Sequence, residues 1–215
     1  MSGIVSWSLR GGIVALLGTA AIGTCVLGRA GPATTVVVPP AADGDRIVYP
    51  VSSPSHIDVP GGRRDVTSLL RVRGRMKYGD FVWKDVPGEA PVWVRVDLRS
   101  QTMSVFRGSD EIGSAVVMYG TDGKPTPTGS FPIIAKDADH RSSLYDADMP
   151  YALRLTGDGV FVHASDVKQG FATHGCIGIP IDFARRLFAV AGKSDMVHII
   201  PRTPAVSGTG RLSAG

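Results

Sequence analysis

From Val92 to Tyr119 the chain alternates apolar with polar or mixed residues in three short runs. These are Val92-Trp93-Val94-Arg95-Val96-Asp97-Leu98, Thr102-Met103-Ser104-Val105-Phe106, and Ile112 to Tyr119. A period of two puts every second side chain on one face, as a half-buried strand requires. Gly108-Ser109-Asp110 turns the second run into the third, so the three read as an antiparallel meander. Glycine at 27 and proline at 15 in 215 residues add many turns and favour strands over long helices. The fold class expected is therefore mainly β. The length suffices for one well-buried domain with accessory segments.

Gly120 to Gly129, with Pro125 and Pro127, reads as a fixed loop, and Ser130 to Ile134 as a further strand. Asp137 to Met149 is polar and reads as an excursion over the surface, with His140 in it. Tyr151–Leu155 and Val160–His163 flank Thr156-Gly157-Asp158-Gly159, a strong hairpin signal. That alternation puts Phe161 and His163 on one face and places His163 at a strand end. One helix is expected, with Asp182 as N-cap, Phe183 to Ala191 as its body and Gly192 as its stop. Its buried stripe would be Phe183, Leu187, Phe188 and Ala191, with Arg185 and Arg186 facing outward. Met196 to Ile200 is a last strand, with His198 packed in it or at its edge.

Ahead of this domain, Arg10 precedes an uncharged apolar stretch from Gly11 to Gly28. Residues 1–30 are read as a signal peptide, with Gly28 and Ala30 as the small residues before a cleavage site, or as a retained membrane anchor. Either outcome puts the remainder outside the cytoplasm, in the periplasm or cell envelope. Residues 31–60, rich in proline and alanine, read as a flexible linker. Residues 61–91 read as an arm packing on the domain edge, with Asp65 to Leu70 either opening a short helix or belonging to that arm. His56 reads as a solvated loop residue, and residues 202–215 as a disordered tail.

The formal charge of +4 is mild, and no run of lysine or arginine accompanies exposed aromatics, so no nucleic-acid partner is expected. Cys25 lies in the apolar stretch, which leaves Cys176 as a free thiol. It sits in Thr173-His174-Gly175-Cys176-Ile177-Gly178, within loop reach of His163. A free thiol is only a few per cent ionised near neutral pH and needs a base. Gly175 and Gly178 leave room for a carbonyl to approach. The residues support two readings: a cysteine nucleophile attacking an acyl carbon, or a small buried thiol beside structural histidines. His174 and Cys176 are too few ligands for a structural zinc, and no cofactor is expected.

Three motifs in order carry a resemblance to the L,D-transpeptidase (YkuD-type) family. They are Val94–Leu98 with Gln101–Val105, Pro125-Thr126-Pro127-Thr128-Gly129-Ser130-Phe131, and His163 followed by Thr173-His174-Gly175-Cys176-Ile177. The resemblance implies a β-sandwich or barrel catalytic domain over residues 92–201. It implies action on peptidoglycan stem peptides and inhibition by carbapenem-type compounds, with membrane contact only through residues 11–28 if they are retained. Cys176 would attack the carbonyl of an L,D-peptide bond, expel the terminal D-residue and hold a thioester for an amine acceptor. His163 would be general base and proton donor, oriented by the carbonyl of Ala164, with Asp166 as a lesser candidate. His174, Gly175 and Cys176 would offer backbone N–H groups to the oxyanion, with Thr173 and the His174 side chain bracing the turn by hydrogen bonds. Tyr119, Gly120, Thr128 and Gly178 would contact substrate. The family's usual arginine two residues after the cysteine is Gly178 here, so Lys168, Arg141 or Arg185 would take over its charge. The loop from His163 to Thr173 is short for the family, which implies a reduced lid. Hydrolysis of the same thioester, an inactive wall-binding module and a metal–thiolate site are the alternatives.

Overall fold

The computed structural model describes residues 41–202. The signal or anchor assigned to residues 1–30, the start of the linker and nearly all of the C-terminal tail lie outside the described residues. Among those described, no helix is long and apolar enough to cross a membrane.

Residues 41–60 are not a linker. They begin with strands β1 (Ala41–Asp43) and β2 (Arg46–Val48), which pair antiparallel, and β3 (Ser55–Val59). β4 (Gly62–Val66) completes a hairpin with β3, and β5 (Ser68–Leu70) pairs with β2. Asp65 to Leu70 therefore divides between two strands instead of opening a helix. His56 stands on β3, its Nδ1 2.8 Å from the Asp65 carboxylate across the hairpin. The physical reason is long-range pairing. Arg46 donates to the Glu111 carbonyl at 2.8 Å, and the buried Glu111 carboxylate accepts the Leu70 N–H at 2.8 Å. Burial pushes the Glu111 carboxyl up, opposed by hydrogen bonds from Ser104 and Leu70 and by the charge of Arg46.

After β6 (Phe81–Trp83), the expected meander follows as β7 (Val92–Asp97), β8 (Thr102–Arg107) and β9 (Asp110–Val116). β10 (Gly129–Pro132) and β11 (Ala135–Asp137) lead to the hairpin of β12 (Ala152–Arg154) and β13 (Phe161–Ala164). β14 (Ile177–Ile179), α1 (Ile181–Val190) and β15 (Met196–Ile200) complete the order. The large sheet runs β1-β2-β5-β9-β8-β7-β15-β10, with β6 also on β9; the smaller runs β11-β12-β13-β14.

Alternation decides which face each strand buries. Val94 and Val96 of β7, Met103 and Val105 of β8, and Ile112 of β9 meet Val162 and Ile177 of the smaller sheet and Phe183 and Leu187 of α1 in one core. Burying each such side chain contributes roughly 1.5–3 kcal/mol. Phe81 and Trp83 close that core edge-on against Phe183, at 5.7 and 5.3 Å between ring centroids. On the opposite face of the large sheet, Trp93 stacks on Phe106 at 4.1 Å, and the β3–β4 hairpin covers them with Val66, Ile57 and Val59.

The helix differs at its ends from expectation. Its N-cap is Pro180 with no capping side chain, and Asp182 lies in the first turn, bonded to Arg185 at 3.0 Å. Phe183, Ala184 and Leu187 are its buried residues, while Phe188 is only half-buried under Tyr151. His198 is buried on β15 and hydrogen-bonded through Nδ1 to Ser130 at 2.7 Å.

Candidate active site

β13 and β14 run parallel, with Val162 opposite Ile177 and His163 opposite Gly178. Successive side chains in a strand alternate faces, and opposed residues share one. Val162 and Ile177 enter the core. Phe161 and His163 therefore share the other face with Cys176, which immediately precedes β14. The sequence places a base and a thiol on neighbouring rails of a rigid sheet. Both line one cavity of about 440 Å³.

The His163 ring is buried, and its Nδ1 is 2.8 Å from the Ala164 carbonyl oxygen. A carbonyl only accepts, so Nδ1 carries the hydrogen and Nε2 is the basic nitrogen. Ser165 Oγ lies 3.3 Å from the same Nδ1. Asp166 instead pairs with Lys168 on the surface. Burial is the main cause holding His163 below the usual imidazole value, against a raising contribution from the Ala164 carbonyl and with a further lowering by His140. Burial likewise pushes the Cys176 thiol up, opposed by a backbone hydrogen bond from Phe161. Both shifts favour the neutral thiol beside the neutral imidazole. The sulfur is 3.8 Å from the Gly159 carbonyl.

The turn before Cys176 is held from behind. Thr173 Oγ1 donates to the Cys176 carbonyl at 2.5 Å, and Thr126 Oγ1 approaches the same oxygen at 3.4 Å. Gly175 sits at φ 110°, a conformation costly for any residue with a Cβ. With that carbonyl turned into the protein, the N–H groups of His174, Gly175 and Cys176 find no acceptor among the described residues. The Thr126 contribution was not foreseen; only the rigidity of the Pro125–Pro127 loop hinted at it.

The residues expected to contact substrate do not line this cavity. Tyr119, Gly120 and Thr128 border a separate depression of about 230 Å³ from which Cys176 is absent. Tyr119 and Thr121 instead hydrogen-bond through their backbones to Thr173 at 3.0 and 3.3 Å, which fixes the turn. A Cβ on Gly120 would lie 2.1 Å from the Lys124 carbonyl oxygen and 2.9 Å from the Gly175 Cα, so this glycine is required by close approach. Gly178 exchanges 2.9 Å backbone hydrogen bonds with Met118 and is buried. A Cβ there would fall 2.8 Å from Ser165 Oγ, so Ser165 fills the space a larger residue would need.

The polar excursion at 137–149 lies over the surface as a cover on this cavity. Arg141 holds it closed on itself, reaching Asp146 at 2.7 Å and Asp148 at 2.6 Å. Tyr145 from this flap stacks on the His174 ring at 4.3 Å. His174 therefore braces the turn by ring stacking, not by a side-chain hydrogen bond. His140 also lines the cavity, stacked on Phe161 at 4.6 Å with Nδ1 3.1 Å from Asp137. The cover is supplied mainly by this flap, with Ala172 from the short His163–Thr173 loop.

Of the cations expected to replace the family arginine, Arg141 is tied to the flap, Lys168 to Asp166, and Arg185 to Asp182. None of them lines the cavity, whereas Arg154 does. Its Nε and Nη2 donate to the Thr156 and Gly157 carbonyls at 3.0 and 2.6 Å, and Nη1 has no hydrogen-bond partner among the described residues. Among the described residues no group of three or more His, Cys, Asp or Glu side chains converges as a metal would require.

A β-sandwich presenting a cysteine and a buried histidine to one covered cavity defines a catalytic domain type. The family model for the L,D-transpeptidase catalytic domain (YkuD) matches residues 91–199, a span that includes His163 and Cys176. The chain belongs to this family. L,D-transpeptidase 1 of Mycobacterium tuberculosis (strain ATCC 25618 / H37Rv) is 29% identical over 130 residues, covering 53% of this chain and 51% of that protein. The chain thus spans about half the length of the curated relatives it matches. Among solved structures, an L,D-transpeptidase (Yku) from Stackebrandtia nassauensis shares the fold at TM-score 0.50 and 24% identity, over 54% of this chain and 58% of that one. An LD transpeptidase solved in complex with imipenem is 24% identical at TM-score 0.47, over 51% of this chain and 59% of that one.

Proposed function

We propose that the domain is a cysteine-dependent L,D-transpeptidase of the cell envelope that acts on peptidoglycan stem peptides. One observation carries this reading: His163 and Cys176 share a face of adjacent parallel strands and open into the same cavity. In the proposed reaction, His163 Nε2 takes the thiol proton as Sγ bonds to the carbonyl carbon at the L-centre. The N–H groups of the Thr173–Cys176 turn receive the negative charge on the carbonyl oxygen. Such donors are each worth on the order of 10²–10³ in rate. Collapse breaks the C–N bond, and the imidazolium gives its proton to the departing amine of the D-residue. An acceptor amine then attacks the thioester, loses a proton to His163 and regenerates the thiol. Export to the envelope rests on Arg10 and the apolar residues 11–28.

The test is product analysis on a disaccharide–tetrapeptide, with and without an amine acceptor. Release of the terminal D-residue, a thioester on Cys176 and a new amide in the presence of acceptor are expected. Release that is unchanged by acceptor would make the domain a carboxypeptidase. A folded protein giving neither release nor a carbapenem adduct would remove the enzyme assignment.

The terminal D-residue carries a free carboxylate, and Arg154 is the cavity's arginine. A charge-assisted hydrogen bond of this kind contributes about 1.5–3 kcal/mol. Arg154→Gln is expected to raise KM for the tetrapeptide roughly tenfold to hundredfold with a smaller fall in kcat. Steady-state kinetics on the purified variant check it; an unchanged KM would clear Arg154 of this role.

A further inference from the structure

The connection from β5 to β6 reads Arg71-Val72-Arg73-Gly74-Arg75-Met76-Lys77-Tyr78, with a cation at every odd position and Gly74, at φ 84°, bending the chain between two of them. All of these cations are exposed, while Val72, Met76 and Tyr78 are half-buried. The segment borders two cavities of about 540 and 900 Å³, which share Val72, Arg75 and Met76 and so form one groove. Phe81 and Trp83 give its floor an aromatic character. The run of cations and the aromatic rings that follow it in sequence thus border the same groove.

Arg71, Arg73, Arg75 and Lys77 make no side-chain ion pair or hydrogen bond among the described residues. Two acids also border the groove, against the segment's four cations. Asp45 pairs with Lys84 at 3.5 Å, and Asp80 accepts the Lys77 N–H at 2.7 Å. The segment is nonetheless pinned. Arg71 N–H donates to the Asp45 carbonyl at 2.7 Å, Asp80 N–H to the Lys77 carbonyl at 3.0 Å, and Tyr78 Oη to Gln101 at 3.0 Å. The cations outnumber the acids along the groove, and an anion laid along them relieves the remaining like-charge repulsion. The groove extends to Gln169, on the loop whose Ala172 lines the Cys176 cavity.

We propose that this groove binds a linear phosphate-bearing polymer, its phosphates held by the guanidinium groups and its polyol or sugar spacers lying on the apolar floor. Guanidinium groups match phosphate oxygens bidentately, and arginine supplies three of the four cations on the segment. The groove is concave, which suits a chain better than the flat face of a bilayer. The assignment does not depend on the catalytic reading.

The experiment titrates the full chain with fluorescent poly(glycerol phosphate), following anisotropy at two salt concentrations. Neutralising about three charges predicts a weakening of roughly 20- to 40-fold between 50 and 200 mM salt. The combined variant Arg71→Gln, Arg73→Gln, Arg75→Gln should bind at least about tenfold more weakly with a flatter salt dependence. Its melting temperature and its rate of carbapenem adduct formation should match the wild type, so failure here is separable from failure of the catalytic proposal. Equal binding by the variant would overturn the assignment. Equally tight binding of poly-L-glutamate at matched charge would overturn the choice of phosphate. Loss of binding to phosphatidylglycerol vesicles in the variant, with no polymer bound by the wild type, would make the partner a membrane surface instead.

Discussion

Replacing Cys176 by alanine is expected to abolish covalent capture of a carbapenem: intact mass after incubation should equal that of the untreated variant. Turnover of a tetrapeptide should fall by on the order of 10⁴-fold or more, as when the nucleophile of an acyl-transfer enzyme is removed. Cys176 is the free cysteine among the described residues, and Met149, Ala152 and Phe161 surround it. The alanine variant should remain folded, because it deletes one sulfur from a partly open wall. Far-UV circular dichroism and a melting curve make that control. A variant that still gained the mass of the inhibitor would move the nucleophile elsewhere.

His163→Ala is expected to cost about 10²–10⁴ in the rate of acylation at neutral pH, the usual span for a positioned base. The pH dependence distinguishes this role from a structural one. In the wild type, burial lowers the imidazole's affinity for protons. The acid limb of the acylation profile should therefore fall below the range of an ordinary imidazole, and activity should persist as pH drops through that range. Burial also raises the thiol, so any alkaline limb should lie above the ordinary thiol range. Without the imidazole the acid limb should vanish, and the rate should climb with pH as the thiol ionises unaided. Stopped-flow acylation across pH reads both limbs. A variant retaining the wild-type acid limb would strip His163 of the role.

Where a residue's partner lies nearby in sequence, the sequence disclosed it. The β7–β8–β9 meander and the β12–β13 hairpin follow from alternation and turn chemistry, and the face shared by Phe161 and His163 follows from the same alternation. What stayed hidden was held by distant or polar partners. β1, β2 and β5 are three residues each and acquire their place through Glu111, forty or more positions away from Arg46 and Leu70. The flap at 137–149 is closed by Arg141 with Asp146 and Asp148, so hydrophobic patterning carried no trace of it. Gly178 looked like an open substrate position because its real constraint, Ser165 Oγ, arrives from just past the end of the neighbouring strand. Tyr119 and Gly120 were near the site in chain order, yet they support it from the rear.

The pairing of β13 with β14 has an evolutionary corollary. Sliding either strand by one residue would swing the sulfur or the imidazole from the cleft into the hydrophobic interior, and no small adjustment would restore it. Insertions in the connection between the two strands or in the flap would leave the ladder untouched. Lineages of this domain should accordingly diversify their specificity through loop length while the two strands remain locked in step.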